Sequence, residues 1–143
     1  MSEPVILTVP LFSQLGNLGL ALRREVFIGE QRVPPEEEFD SYDLTATHIV
    51  ALADGDVVGV MRLLFLEEHA KIGRVAVAST ARGRGVASLM LRHAMALAAE
   101  RGETRFYLAA QLDKLALYEK LGFVAFGDIF QDGGMPHRAM KTY

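Results

Sequence analysis

Between Lys71 and Ala99 the chain carries no Asp or Glu, yet it holds Lys71, Arg74, Arg82, Arg84 and Arg92. Arg74-Val75-Ala76-Val77 reads as the end of an apolar strand. Ala78-Ser79-Thr80-Ala81-Arg82-Gly83-Arg84-Gly85-Val86-Ala87 then leads into a strong helical pattern. Gly83 and Gly85 let the backbone turn tightly and approach a ligand with no Cβ in the way. The helix start adds unpaired N–H groups and the positive end of its dipole. Arg82 and Arg84 add two cations with forked donors. Together these parts suit an anion, phosphate above all; the plainer alternative is a Gly-rich turn with solvated arginines. The segment from Glu30 to Asp43 has the opposite character. Glu30, Glu36, Glu37, Glu38, Asp40 and Asp43 stand there against Arg32 alone, a charge that would draw in a protonated amine or else be solvated surface.

The elements that must hold these groups fit one domain spanning residues 1–143. Half the residues are hydrophobic and 23% charged, a globular balance that argues against disorder. Cysteine is absent, which removes thiol nucleophiles, thiolate metal sites and disulfides together. Four scattered histidines, His48, His69, His93 and His137, form no ligand cluster, so no metal is expected. A net charge of −3 argues against broad nucleic-acid affinity. Met1-Ser2-Glu3-Pro4 carries an acid where a secretory leader needs positive charge, and no apolar run nears the ~18–20 residues of a membrane span. A cytoplasmic protein with no membrane association is expected.

Val5–Val9 reads as a strand, followed by a helical stripe of Leu15, Leu18, Leu22 and Val26. His48–Ala53 and Val57–Leu66 are strands around Asp54-Gly55, a strong hairpin signal. Ile72–Val77 is a further strand. Val86, Leu89, Met90, Ala94, Leu97 and Ala98 form the clearest helix face, stopped by Gly102. Arg105–Ala110 is a buried strand, Leu112–Leu121 is helical up to Gly122, and Phe123–Phe130 and Arg138–Tyr143 complete the set. This order implies an α/β (α+β) domain built on a single sheet. The last strand, ending at Tyr143, is a candidate sheet edge with which a second copy could pair as a homodimer.

Gly83-x-Gly85 followed by Ser88 is a weak match to the dinucleotide fingerprint, and the next strand ends Ala109-Ala110-Gln111 without the acid that would hold a ribose. No Gly-Lys-Ser/Thr triplet occurs, so the kinase-type P-loop fails. Arg82-Gly83-Arg84-Gly85-Val86-Ala87 instead resembles the Arg/Gln-x-x-Gly-x-Gly/Ala acyl-CoA signature of the GNAT acetyltransferase superfamily. Tyr118-Glu119-Lys120-Leu121-Gly122-Phe123 is similar to that superfamily's Tyr-x-x-x-Gly-Phe segment. Val26-Phe27-Ile28-Gly29-Glu30-Gln31-Arg32-Val33-Pro34, the acids that follow it, His48, and Gly134-Met135-Pro136-His137 resemble the ElaA/YjcF-like subgroup.

The resemblance implies a mixed, mostly antiparallel central sheet of about six or seven strands flanked by about four helices, and acetyl-CoA as co-substrate. It implies that Arg82, Gly83, Arg84, Gly85, Val86 and Ala87 hold the pyrophosphate, with Val75, Ala76 and Val77 beside the pantetheine. The implied gap between this strand and Arg105–Ala110 would receive the thioester, and Tyr118 would protonate the CoA sulfur. A phenol with pKa ~10 is protonated at neutral pH, which suits that role; packing of its ring in the core is the compatible alternative. Gln31, Asp40, Asp43, Arg74 and His137 are expected around the acceptor. Many relatives carry a glutamate on the strand matching Ile72–Val77, and this sequence has none. The base is therefore open among Glu30, Asp40, Asp43 and His48, with His48 best tuned; His137 bears the same reading or shapes the acceptor pocket. Direct acetyl transfer to a primary amine is the leading expectation. A non-catalytic acyl-CoA-binding or sensing module is the alternative, and a dinucleotide-binding domain a distant one.

Overall fold

Two apolar runs on either side of Asp54-Gly55 fold the chain back on itself. In the computed structural model, which describes Met1–Tyr143, Thr47–Ala53 (β2) and Asp56–Phe65 (β3) form an antiparallel hairpin. Asp54 and Gly55 have φ of 53° and 84°, the two successive positive values of a type I′ turn, whose twist matches the strands. Val5–Val9 (β1) pairs with β2, and Ala70–Val77 (β4) pairs with β3. The sheet continues through Phe106–Gln111 (β5), Val124–Asp132 (β6) and Met135–Lys141 (β7). Its seven strands run in the order β1-β2-β3-β4-β5-β7-β6, antiparallel everywhere except between β4 and β5.

Gln14–Arg23 (α1) is capped by the Ser13 side chain and runs directly into a π-helical segment, Arg24–Glu30. Pro35–Glu38 (α2), Val86–Glu100 (α3) and Leu115–Glu119 (α4) complete the helices. The expected mixed sheet with about four helices is the observed architecture. One sheet face packs on α3 and α4, with Ile49, Met61, Ile72, Leu108 and Met140 against Met90, Leu91, Ala94 and Tyr118. The other face is covered over β1–β4, where Val9, Val50, Val60 and Ala76 meet Leu22 and Val26. The α1 stripe differs from the expected one. Leu18 is 43% exposed, and Gly16 and Gly19 are buried instead. A Cβ on Gly19 would stand 3.1 Å from Val50 and Val60, so the helix approaches the sheet where side-chain bulk is missing.

The chain's last strand is not an edge. β7 lies between β5 and β6, which makes β6 the edge at this end of the sheet and β1 the edge at the other. The two terminal strands extend further than their sequence pattern implied, meeting in a hairpin whose turn uses Gly133 and Gly134 at φ 58° and 79°. No helix is long and apolar enough to cross a membrane.

Two irregularities shape the middle of the sheet. The β4–β5 ladder consists of Ala70↔Phe106 and Lys71↔Tyr107 and then ends, so the strands part beyond Lys71. On its other edge β4 carries a bulge: Val60 pairs with Ala76 and Arg62 with Gly73, leaving Met61 opposite both Arg74 and Val75. Arg74 adopts φ 53° there, a left-handed conformation that costs a non-glycine residue of the order of 1–3 kcal/mol and is held only by surrounding structure.

Candidate active site

The opening between β4 and β5 exposes backbone rather than side chains. Ala78 N–H donates to the Val58 carbonyl, so the trans peptide before it directs the Val77 carbonyl away from β3. Strand alternation then places the Val77 N–H and the Val75 carbonyl on the same open side. Across the gap, Thr142 N–H donates to the Phe106 carbonyl. The Phe106, Leu108 and Ala110 peptide groups therefore face β7, and those of Ala109 and Gln111 face β4. Two strands thus present polar backbone to each other across a space that no ladder fills.

At the end of β4 the chain passes through Ser79–Ala81 into the loop that starts α3. Gly83 and Gly85 have φ 76° and 77°, and a Cβ on either would meet nothing within 4 Å. These glycines are dictated by backbone conformation, with open space left above them. Gly85 is the N-cap of α3 and supplies no side-chain cap, leaving the N–H groups of Val86, Ala87 and Ser88 without an intrahelical acceptor. Arg82 and Arg84 are exposed beside them. Arg82 Nε donates to the Val77 carbonyl at 3.0 Å and its Nη2 to Glu30 Oε1 at 2.7 Å. Glu30 therefore stands at this loop, as the ion-pair partner of Arg82.

Tyr118 on α4 is 8% exposed, with its ring edge-on to Phe123 at 6.0 Å. Burial alone raises its phenol to about 12, so it stays protonated through the neutral range. It is both a core aromatic and a held proton.

The acidic segment presents little free charge. Arg23, 1% exposed, binds Glu38 Oε1 through Nε and Asp43 Oδ1 through Nη1, both at 2.6 Å. Arg62 binds Asp40 at 2.7 Å and Asp43 at 3.0 Å. Arg74 donates to the Glu38 and Glu37 carbonyls at 2.9 and 3.1 Å and reaches Asp40 at 3.3 Å. Three arginines from α1, β3 and β4 thus neutralise Glu38, Asp40 and Asp43, and Arg82 neutralises Glu30. The expected anionic surface is largely consumed by partners outside the segment. Burial pushes the Asp43 carboxyl up, but hydrogen bonds from Arg23, the Asp40 N–H and Arg62 outweigh it and hold it at about 2. The Arg62 hydrogen bond likewise lowers Asp40. Asp40 and Asp43 are tied into this network, which packs the segment onto the sheet and braces the Arg74 bulge. The sequence pattern did not single out Arg23 or Arg62, and it offered Glu38 only as one acid of the segment. A signal was there: Arg62 is the sole charge in the apolar run Val57–Leu66, and a buried arginine requires carboxylate partners.

His48 lies on β2, 6% exposed, with Nε2 donating to the Asp43 carbonyl at 2.7 Å. It lines a groove of about 510 Å³ with Thr8–Phe12, Leu44 and Arg101, two strands from the β4–β5 gap. Gln31 does reach that gap, its Oε1 accepting from Gln111 Nε2 at 2.9 Å. His137 on β7 is the register partner of Gln111. The structure therefore gathers Val75, Val77, Arg82–Ala87, Glu30 and Gln31 around one opening, places His137 one strand beyond it next to Gln111, and separates His48 from it.

A parted parallel pair continuing into a glycine-rich loop and helix is the frame of an acyl-CoA N-acyltransferase, and the comparisons agree. Over 99% of both chains, the structure superposes on an acyl-CoA N-acyltransferase from Pseudomonas aeruginosa with TM-score 0.82 and 33% identity. With Escherichia coli ElaA the TM-score is 0.84 at 28% identity over all of both chains. In sequence the chain is 33% identical over 120 residues to the uncharacterized N-acetyltransferase YjcF of Bacillus subtilis, covering 83% of this chain and 86% of YjcF. The protein is an acyltransferase. Residues 20–123 match the acetyltransferase (GNAT) family, and the chain belongs to that family, in its ElaA/YjcF-like subgroup. The sheet is not a doubly wound dinucleotide fold, which removes that alternative.

Proposed function

We propose that the protein transfers an acetyl group from acetyl-CoA directly to a primary amine, of a small molecule or a basic side chain, in the cytoplasm. The observation that carries this reading is the gap beyond Lys71 and Tyr107, walled by backbone donors and acceptors and running into the open loop at Gly83 and Gly85. A pantetheine amide chain matches the polar edges of Val75 and Val77, with Ala76 between them, and a pyrophosphate matches Arg82–Ala87. Acetyl-CoA supplies the activated acetyl thioester. The Val77 N–H donates to the carbonyl oxygen as negative charge builds there. Tyr118 gives its proton to the departing sulfur. Glu30 positions Arg82 at the loop, while Gln31, Arg74, Asp40 and Asp43 shape and brace the acceptor side.

A thermal-shift comparison tests the cofactor. Acetyl-CoA and CoA at ~100 times their dissociation constants should each stabilise the protein by about 2.7 kcal/mol, several degrees, with no shift from NAD. Acetyl-CoA should then release free thiol when an amine is added. A shift with NAD alone, or with none of the three, sinks the reading; binding without thiol release would make the chain an acyl-CoA sensor.

A further inference from the structure

We infer that His137 Nε2 is the general base that takes the proton from the acceptor amine. The inference rests on the acetyltransferase reading above and names a group that reading leaves open.

His137 Nδ1 lies 2.8 Å from the Met135 carbonyl. A carbonyl only accepts, so Nδ1 carries the hydrogen and the neutral ring keeps its lone pair on Nε2. The ring is fixed on a second side by Phe130, stacked at 6.0 Å between centroids and 28° between planes. His137 is 92% buried by virtue of its 8% exposure, yet its Nε2 has no partner in the chain. Arg62 Nε is the one side-chain polar atom both sealed from solvent and unpartnered, so the His137 Nε2 remains reachable. Its basic atom is held ready, with the opposite nitrogen as the anchor.

Position follows from the ladder. The ladder ends at Lys71↔Tyr107, and Gln111 and Val75, the start of the polar wall on β4, each lie four residues further along their strands. His137 is the cross-strand partner of Gln111 and so projects from the same face of the sheet. That face is the one left without helices over β5–β7. Ala109 and Ala139 form the neighbouring pair on it, and their small side chains leave room for an acceptor. Gln111 in turn holds Gln31 across the mouth of the gap. His48 has the reverse arrangement, its Nε2–H committed to Asp43 and its ring lining a different groove.

In the proposed step the amine nitrogen bonds to the thioester carbonyl carbon while the carbon–sulfur bond breaks. The amine proton passes to His137 Nε2, and the sulfur leaves with the Tyr118 proton. Net, one proton moves from nitrogen to sulfur, and no other reactant is needed. The charged residues on strands packed against His137 are few. Asp132 follows Phe130 on the same face of β6, and Arg138, next along β7, points to the opposite face. Gln111 is uncharged, and its partner Gln31 is flanked in the chain by Arg32 and by Glu30, which pairs with Arg82.

His137→Asn tests the proposal, because the amide can still donate to the Met135 carbonyl but offers no basic nitrogen. With n-butylamine and an Nα-blocked lysine amide as acceptors, kcat should fall roughly 10²–10⁴-fold. Acetyl-CoA affinity should be unchanged. His48→Asn should keep the rate. Activity of His137→Asn within a few-fold of wild type overturns the proposal. Imidazole nitrogen NMR of the wild-type protein provides a test independent of any acceptor: an Nε2–H tautomer at neutral pH overturns it as well. Wild-type protein that binds acetyl-CoA yet acetylates neither probe counts instead against the acetyltransferase reading, and His137 falls with it.

Discussion

At the scale of single residues, the site depends on protons held where water would otherwise set the terms. Tyr118 shows this in its titration. Its phenol is raised by burial from the usual 10 to about 12, so the folded state holds a proton that the unfolded chain releases first. The stabilisation is fully present below pH 10 and is lost as pH climbs through 12, amounting to about 2–3 kcal/mol. Tyr118→Phe should remove this alkaline loss, visible as a flatter dependence of Tm on pH above 10. The same variant should lower kcat by roughly 10²-fold or more while calorimetry finds acetyl-CoA binding intact. Equal rates would take Tyr118 out of the acid role and leave only its packing against Phe123. The tyrosine stood out in the sequence through the Gly122-Phe123 that follows it. Its burial came from the tertiary fold and was not legible there.

At the scale of elements, the buried ion pairs do the positioning that a single helix or strand cannot. Arg23 on α1, Arg62 on β3 and Arg74 in the β4 bulge converge on Glu38, Asp40 and Asp43, tying three elements to one loop. Removing one partner leaves the others charged and buried, so Asp43→Asn should cost about 3–5 kcal/mol in denaturant unfolding. Asp43 is held at about 2, below its usual 3.8. Its contribution is therefore present above pH 4 and is lost as pH falls toward 2. Acid unfolding of the wild type should include this step, and the Asn variant should lack it. Local pattern disclosed the Asp54-Gly55 hairpin and α3, because turn chemistry and helical period act over a few residues. It did not disclose this network, whose partners lie 15 to 36 residues apart and whose acids look like solvated surface when read in a row. The π-helical turn at Arg24–Glu30 read as a continuation of α1, since the apolar spacing hardly changes. The terminal hairpin was cut short on both sides of its turn, because Gly133, Gly134 and Pro136 interrupt the pattern that marks strands.

At the scale of the whole molecule, the sheet is two blocks joined along a short seam. β1–β4 form one antiparallel block and β5–β7 the other; two register pairs and the Gln31–Gln111 bridge link them at β4 and β5. A pantetheine lying in the opening would complete the hydrogen bonding that the seam abandons. Amide exchange should report this directly: the Val77, Ala109 and Gln111 amides should slow when acetyl-CoA is added. Those of Ala76 and Leu108, which face neighbouring strands, should not. Uniform slowing across all five would mean general tightening rather than a ligand between the strands. The outer boundary of the second block is managed differently. Along β6 the ladder breaks between Phe126 and Phe130, Gly127 turns to φ 73°, and Arg138 Nε clasps the Gly127 carbonyl at 3.1 Å. A fibril grows by laying strand on strand along an unbroken row of free amides. This knuckle divides the row into two short runs, so the protein can carry Val124, Ile129 and Phe130 on its surface at high concentration without serving as a template for its neighbours.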